Sequence, residues 1–119
     1  MWNAWRAAAR GLIVAWRTER HLKVHSVAAV AVTGLGLALE LSGVEWAILI
    51  LAMGMVFAAE YANSALERLA DRVSVERHPL IRDAKDFAAA SVLVAALAAA
   101  VVGLLILGPK LWIYLLDNQ

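Results

Sequence analysis

Residues 60–71 read EYANSALERLAD. At about 100° per helical residue, Glu60, Asn63, Glu67 and Asp71 fall near 0°, 300°, 340° and 20°, an arc of about 80° on one face. Three carboxylates and one amide in such a stripe can accept protons, hold a hard cation or take hydrogen bonds. The stripe follows an apolar run, residues 44–59, broken only by Glu45. Trp46 to Glu60 is about 21 Å of helical rise against a hydrocarbon thickness of roughly 30 Å, which predicts Glu60 inside the membrane boundary and Asp71 in water. A carboxylate at that depth is costly, and such groups tend to serve function; a proton acceptor is the chemistry expected of Glu60. Mg²⁺ prefers oxygen ligands, commonly one or two carboxylates with substrate phosphates, a task open to Glu67 near the surface. Glu19 is a second candidate ligand at the same membrane level, and Lys85 and Asp86 add a cation and an anion. A blander reading competes: Glu67, Arg68, Asp71 and Arg72 as a solvated face with i,i+4 pairs, Glu19 paired with Lys23, His78 as a loop residue, and His21 and His25 snorkelling toward water.

The elements that must position these residues are apolar. Of the 119 residues 63% are hydrophobic, against roughly 45–50% in ordinary soluble domains, and the mean hydropathy of +0.72 agrees with a chain that lives in a membrane. There is no cysteine, which removes disulfides, thiolate metal sites and cysteine nucleophiles. Arg6, Arg10, Arg17 and Arg20 are spread through the N-terminal stretch instead of preceding an apolar core, so it reads as mature protein and not as a cleaved leader. With its tryptophans and with Leu12, Ile13 and Trp16 facing acyl chains, it suits an amphipathic surface helix over about 2–18. The expected fold is all-α and integral to the membrane. Its first span is 22–39, and the turn ELSGVE leads to a second span and cytoplasmic extension over 44–72. A polar loop, roughly SVERHPLIRDA, in which Pro79 marks a chain break or the start of the next helix, precedes a third span over 85–107, closed by Gly108-Pro109, and the tail KLWIYLLDNQ is expected to be interfacial. Small residues at Ala58, Ala62 and along AAASVLVAALAAAVV permit close helix contact, and three helices are few to enclose several buried carboxylates, which suggests sites shared between protomers.

Five of the Lys and Arg residues lie between positions 6 and 23, five between 68 and 85, and one at 110. The positive-inside rule then puts the N-terminus and the 73–84 loop in the cytoplasm and the C-terminus outside. The acidic stripe thereby meets the compartment that holds soluble phosphate compounds. No GxxxxGK[ST] loop and no Gly-rich strand-turn-helix signature occurs, so a phosphate-handling scaffold here would not be that of the soluble kinases.

The polar residues in order, Trp16-x-x-Glu19-Arg20, His25, Glu60-x-x-Asn63-Ser64-Ala65-Leu66-Glu67, Asp71, Glu76-x-His78-Pro79 and Ala84-Lys85-Asp86, resemble the signature of the prokaryotic diacylglycerol kinase family, small integral-membrane lipid kinases that include the undecaprenol kinases. The resemblance covers about residues 11–110. Glu19-Arg20-His21 stands where Glu-Arg-Asn is common, and Ala90 where the small-residue run usually has Gly; neither removes a catalytic group. The resemblance implies a homotrimer of protomers with three transmembrane helices and a surface helix, with active sites shared between protomers in a bacterial inner membrane. It implies ATP-dependent phosphorylation of a lipid hydroxyl, on diacylglycerol or undecaprenol; the Arg77-His78-Pro79 loop looks more like the undecaprenol-type members. Carried over residue by residue, Glu60 is the general base, Asn63 and Asp71 support it, Glu19 and Glu67 hold Mg²⁺ beside ATP, and Glu76, Arg77, His78, Lys85 and Asp86 contact the nucleotide. The expected partners are ATP, the lipid alcohol and membrane lipids, with no nucleic acid.

Two other functions fit parts of the pattern. A small proton- or cation-handling membrane subunit would use Glu60 for transport but leaves Lys85-Asp86 without a purpose. A noncatalytic assembly protein would have no need of the intact acidic set.

Overall fold

Helix α1, Trp2–Thr18, is amphipathic: Trp5, Leu12, Ile13 and Trp16 lie within about 100° of arc, and Arg6, Arg10 and Arg17 cluster beside them within about 40°. The four apolar side chains are all exposed, as suits a face meant for acyl chains. In this computed structural model, which describes residues 2–73 and 78–119, the expected surface helix appears with the same ends. One extended residue, Glu19, at φ −101° and ψ 116°, then re-aims the chain into α2, Arg20–Ala38.

A short turn follows, in which Glu40 adopts a left-handed φ of 54°. Helix α3, Gly43–Val73, opens on a reciprocal cap: the Glu45 N–H donates to Ser42 Oγ at 3.2 Å, and the Ser42 N–H donates to Glu45 Oε1 at 3.0 Å. The S-x-x-E spacing satisfies two amides that would otherwise lack partners. The Glu45 carboxylate also meets Lys110 Nζ at 3.2 Å, tying this end of α3 to the last helix.

Helix α4 runs from Pro79 to Asp117. Pro79 starts the helix, one of the two roles the sequence offered it, so 79–84 of the polar stretch are helical: in the first turn its missing N–H costs nothing, and His78 Nδ1 accepts the Leu80 N–H at 3.2 Å. One expectation changes, since the helix does not close at Gly108-Pro109. Pro109 removes a single hydrogen bond from a helix of 39 residues, and the apolar run that follows continues the helical path, a tolerance for proline common in membrane helices.

Three helices, α2, α3 and α4, are long and apolar enough to cross a membrane, giving a multi-pass chain. The most extensive packing is between α3 and α4, with α2 and α1 laid against them. At 1.5 Å per residue α3 and α4 are about 46 and 58 Å long, so both overrun a 30 Å hydrocarbon layer. Few side chains are buried, Leu22, Leu49, Val56 and Leu107 among them. Most of the apolar surface faces outward, the inverse of a water-soluble protein and appropriate to a lipid solvent.

Candidate active site

The acidic stripe begins at Glu60, the most enclosed charged residue among the described residues. Glu60 is 4% exposed on α3, and its Oε1 lies 3.0 Å from His25 Nε2 on α2. Ser64, one turn further, is also buried. Asn63 is half-buried, and its Oδ1 is enclosed without a hydrogen-bond partner, an acceptor left open for a donor. Glu67 is half-buried and Asp71 exposed, so the stripe does run from an enclosed end to an open one.

At the open end Lys85 Nζ, on α4, donates to Asp71 Oδ1 at 2.7 Å. Arg68, beside Glu67, reaches the junction of α1 and α2: its NH2 donates to Glu19 Oε1 at 3.2 Å and to Thr18 Oγ1 at 2.6 Å. These links replace the pairings of the bland reading. Glu19 meets Arg68 across the bundle, whereas Lys23 donates to the Arg17 carbonyl at 3.1 Å and its Nζ lies 5.6 Å from the Trp16 ring centroid. Asp71 meets Lys85 on another helix instead of a neighbour on its own. The structure therefore brings Glu19, Arg68, Asp71 and Lys85 into helix-to-helix contacts around the stripe.

Other predicted positions are less enclosed. Asp86 is exposed next to Lys85, and His78 is exposed and caps α4. Glu76 and Arg77 lie outside the described residues. Among the described residues no three His, Asp or Glu side chains converge as a ready cation cage. The donor set still suits Mg²⁺, which is commonly held by one or two carboxylates and completed by phosphates and water. Glu67 is one such carboxylate, and Arg68 holds Glu19 against the same part of α3.

Helical spacing did not single out His25 as the partner of Glu60, although His25 belongs to the polar series that resembles the family signature; a polar ring three residues into an apolar stretch is accounted for equally well by snorkelling.

The pattern of the family described as prokaryotic diacylglycerol kinase matches residues 6–107. The chain belongs to that family. A Bacillus subtilis (strain 168) protein named undecaprenol kinase is 43% identical over 104 residues, spanning 87% of this chain and 85% of the relative. A Synechocystis sp. protein named diacylglycerol kinase is 38% identical over 120 residues, spanning 92% and 69%. An Escherichia coli (strain K12) protein of the same name is 31% identical over 98 residues, spanning 82% and 80%. Family membership supports phosphotransferase activity of the lipid-kinase kind, and the match takes in every element that builds the site.

Proposed function

We propose that this chain transfers the γ-phosphoryl group of ATP to the hydroxyl of a membrane lipid alcohol, with undecaprenol the favoured acceptor and diacylglycerol the alternative. The observation that carries this reading is Glu60: an enclosed carboxylate, 4% exposed, within the apolar length of α3, on the face that leads to the Asp71–Lys85 pair at the open end. A lipid hydroxyl approaching from the bilayer and a nucleotide approaching from water can meet along that face. The preference for undecaprenol draws its support from the 43% identity to the relative of that name.

In the reaction Glu60 takes the proton of the lipid hydroxyl as its oxygen attacks the γ-phosphorus, the bond from that phosphorus to the β-phosphate bridge oxygen breaks, and ADP departs. Phosphoryl transfer asks chiefly for positioning and charge neutralisation. Lys85 serves the second need, with Asp71 setting its ammonium and Asp86 beside it at the nucleotide. Asn63 supports Glu60 from one turn away. His78, which caps α4, completes the nucleotide contacts together with Glu76 and Arg77, which precede it in the sequence. Glu19 and Glu67 would hold Mg²⁺, which would supply charge neutralisation for the phosphoryl transfer. The assembly is a homotrimer with sites shared between protomers, in a bacterial inner membrane. Its N-terminus and the segment before α4 are cytoplasmic, and its C-terminus is outside.

The test is purified protein in mixed micelles with Mg-ATP, supplied in parallel with undecaprenol and with diacylglycerol. Phosphate should appear on undecaprenol faster than on diacylglycerol. Transfer to neither lipid by a folded preparation would overturn the kinase reading, and faster transfer to diacylglycerol would reverse the choice of acceptor.

A further inference from the structure

Three polar links join α1, α2 and α3 at one level of the bundle. Trp16 Nε1 on α1 donates to Ser26 Oγ on α2 at 2.9 Å. Tyr61 on α3 donates its hydroxyl to the Leu12 carbonyl of α1 at 3.0 Å. His25 Nε2 on α2 lies 3.0 Å from Glu60 Oε1 on α3. The links use consecutive residues, 25 and 26 on α2 and 60 and 61 on α3, so each pair of the three helices is joined within one residue of the His25–Glu60 contact or at it. Ser26 is itself fixed, since its hydroxyl donates to the Leu22 carbonyl at 2.7 Å, and Leu22 is fully buried. The residue next to His25 is therefore bonded both within α2 and to α1.

Below this level the same imidazole borders a cavity of about 220 Å³ between α2, α3 and α4, walled by apolar side chains such as Val32, Leu49, Val56 and Phe57. A carboxylate beside such a space has few polar groups to orient it, and a loosely held base loses rate because catalysis depends on geometry to within a fraction of an ångström.

We propose that His25 is a positioning residue for Glu60. With its proton on Nε2, the imidazole donates to Oε1 and fixes the carboxylate rotamer that receives the lipid hydroxyl proton, while the Trp16–Ser26 and Tyr61–Leu12 links tie the helices that carry the pair, α2 and α3, to α1. The inference rests on the lipid-kinase reading of Glu60 and adds to it a residue that touches neither substrate.

The experiment compares wild type with His25→Gln, which keeps an N–H donor, and with His25→Ala and His25→Leu, which do not. Phosphate transfer is measured over ranges of ATP and lipid. Loss of the donor should lower kcat about 10- to 100-fold, the usual effect of removing a group that orients a reactive one, with KM for ATP and lipid little changed. His25→Gln should recover most of the lost kcat. Melting temperature and oligomer size identify which variants fold, and either apolar variant that folds serves for the comparison. Undiminished kcat in the apolar variants overturns the inference. So does a glutamine variant as impaired as alanine, a rise in KM for lipid at constant kcat, or failure of both apolar variants to fold, which would make the residue structural. Absence of transfer by wild type fails the kinase reading itself; an active wild type with unaffected His25 variants fails only the role of His25.

Discussion

The free energy needed to keep a carboxylate within a lipid-facing bundle has to be offset by partners, and Glu60 has one in His25. Its neighbours on the stripe differ from it in exposure, and their substitutions should therefore differ in kind. Glu60→Gln preserves shape and removes the proton acceptor, so turnover should be abolished while Mg-ATP binding persists; steady-state transfer and nucleotide titration check the two halves. Normal turnover in that variant would remove Glu60 from the role of base. Glu67→Gln should instead weaken Mg²⁺-dependent nucleotide binding, seen as a rise in the Mg²⁺ concentration needed for half-maximal ATP binding. The place of Glu60 on one helix with Trp46 was legible from the apolar run between them. Its partner was not, since the meeting of residues 25 and 60 depends on how α2 rotates and slides against α3. The same holds for Glu19: spacing favoured nearby Lys23, whereas packing brings Arg68 from residues far along the chain.

Helix ends and close approaches decide how firmly those partners are presented. The Ser42 and Glu45 cap starts α3 at the end of the bundle far from the stripe, and removing its hydroxyl leaves the Glu45 amide without that acceptor. Ser42→Ala should cost about 0.5–2 kcal/mol, read as a lower melting temperature in detergent, with turnover at low temperature unaffected. Gly36 is a tighter constraint on how α2 meets α3. A Cβ built there would lie 2.8 Å from the end of the Trp46 ring and 3.0 Å from Leu41 Cδ1. Gly36→Val should therefore push the ring away and lower stability by about 1–3 kcal/mol through overpacking, again measured by thermal unfolding. At this scale the sequence was most readable where chemistry is local: the apolar runs marked the long helices, and the Trp and Arg pattern marked α1. It was less readable at Pro109, where proline usually signals an end. The long apolar stretch on both sides outweighs the loss of one backbone hydrogen bond, and the helix passes through.

Among the described residues, helix-to-helix polar contacts lie along the stripe toward one end and at the Glu45–Lys110 pair toward the other, with a band of outward apolar side chains between. Leu104 and Leu105 on α4, each 71% exposed, and Met55 on α3 belong to that band. Composition alone predicted such a surface, but lipid and a second protomer are equally apolar partners, so it could not say which parts of the band protomers cover. The enclosed and unpartnered Asn63 Oδ1 suits the proposal that protomers share sites in a homotrimer. Light scattering corrected for detergent should then give three times the 12.8 kDa chain mass. Sharing itself is tested by mixing unfolded, individually inactive variants in equal amounts and refolding them together, using pairs drawn from Glu19→Gln, Glu60→Gln, Glu67→Gln, Asp71→Asn and Lys85→Met. If a site takes its two mutated positions from different protomers, about one quarter of sites in randomly mixed trimers receive both intact groups, and at least one pair should recover turnover near that fraction of wild type. If every site lies within one protomer, each site carries one lesion or the other and no pair recovers. Recovery in any pair also divides the residues into those that work from the same protomer and those that face each other across an interface.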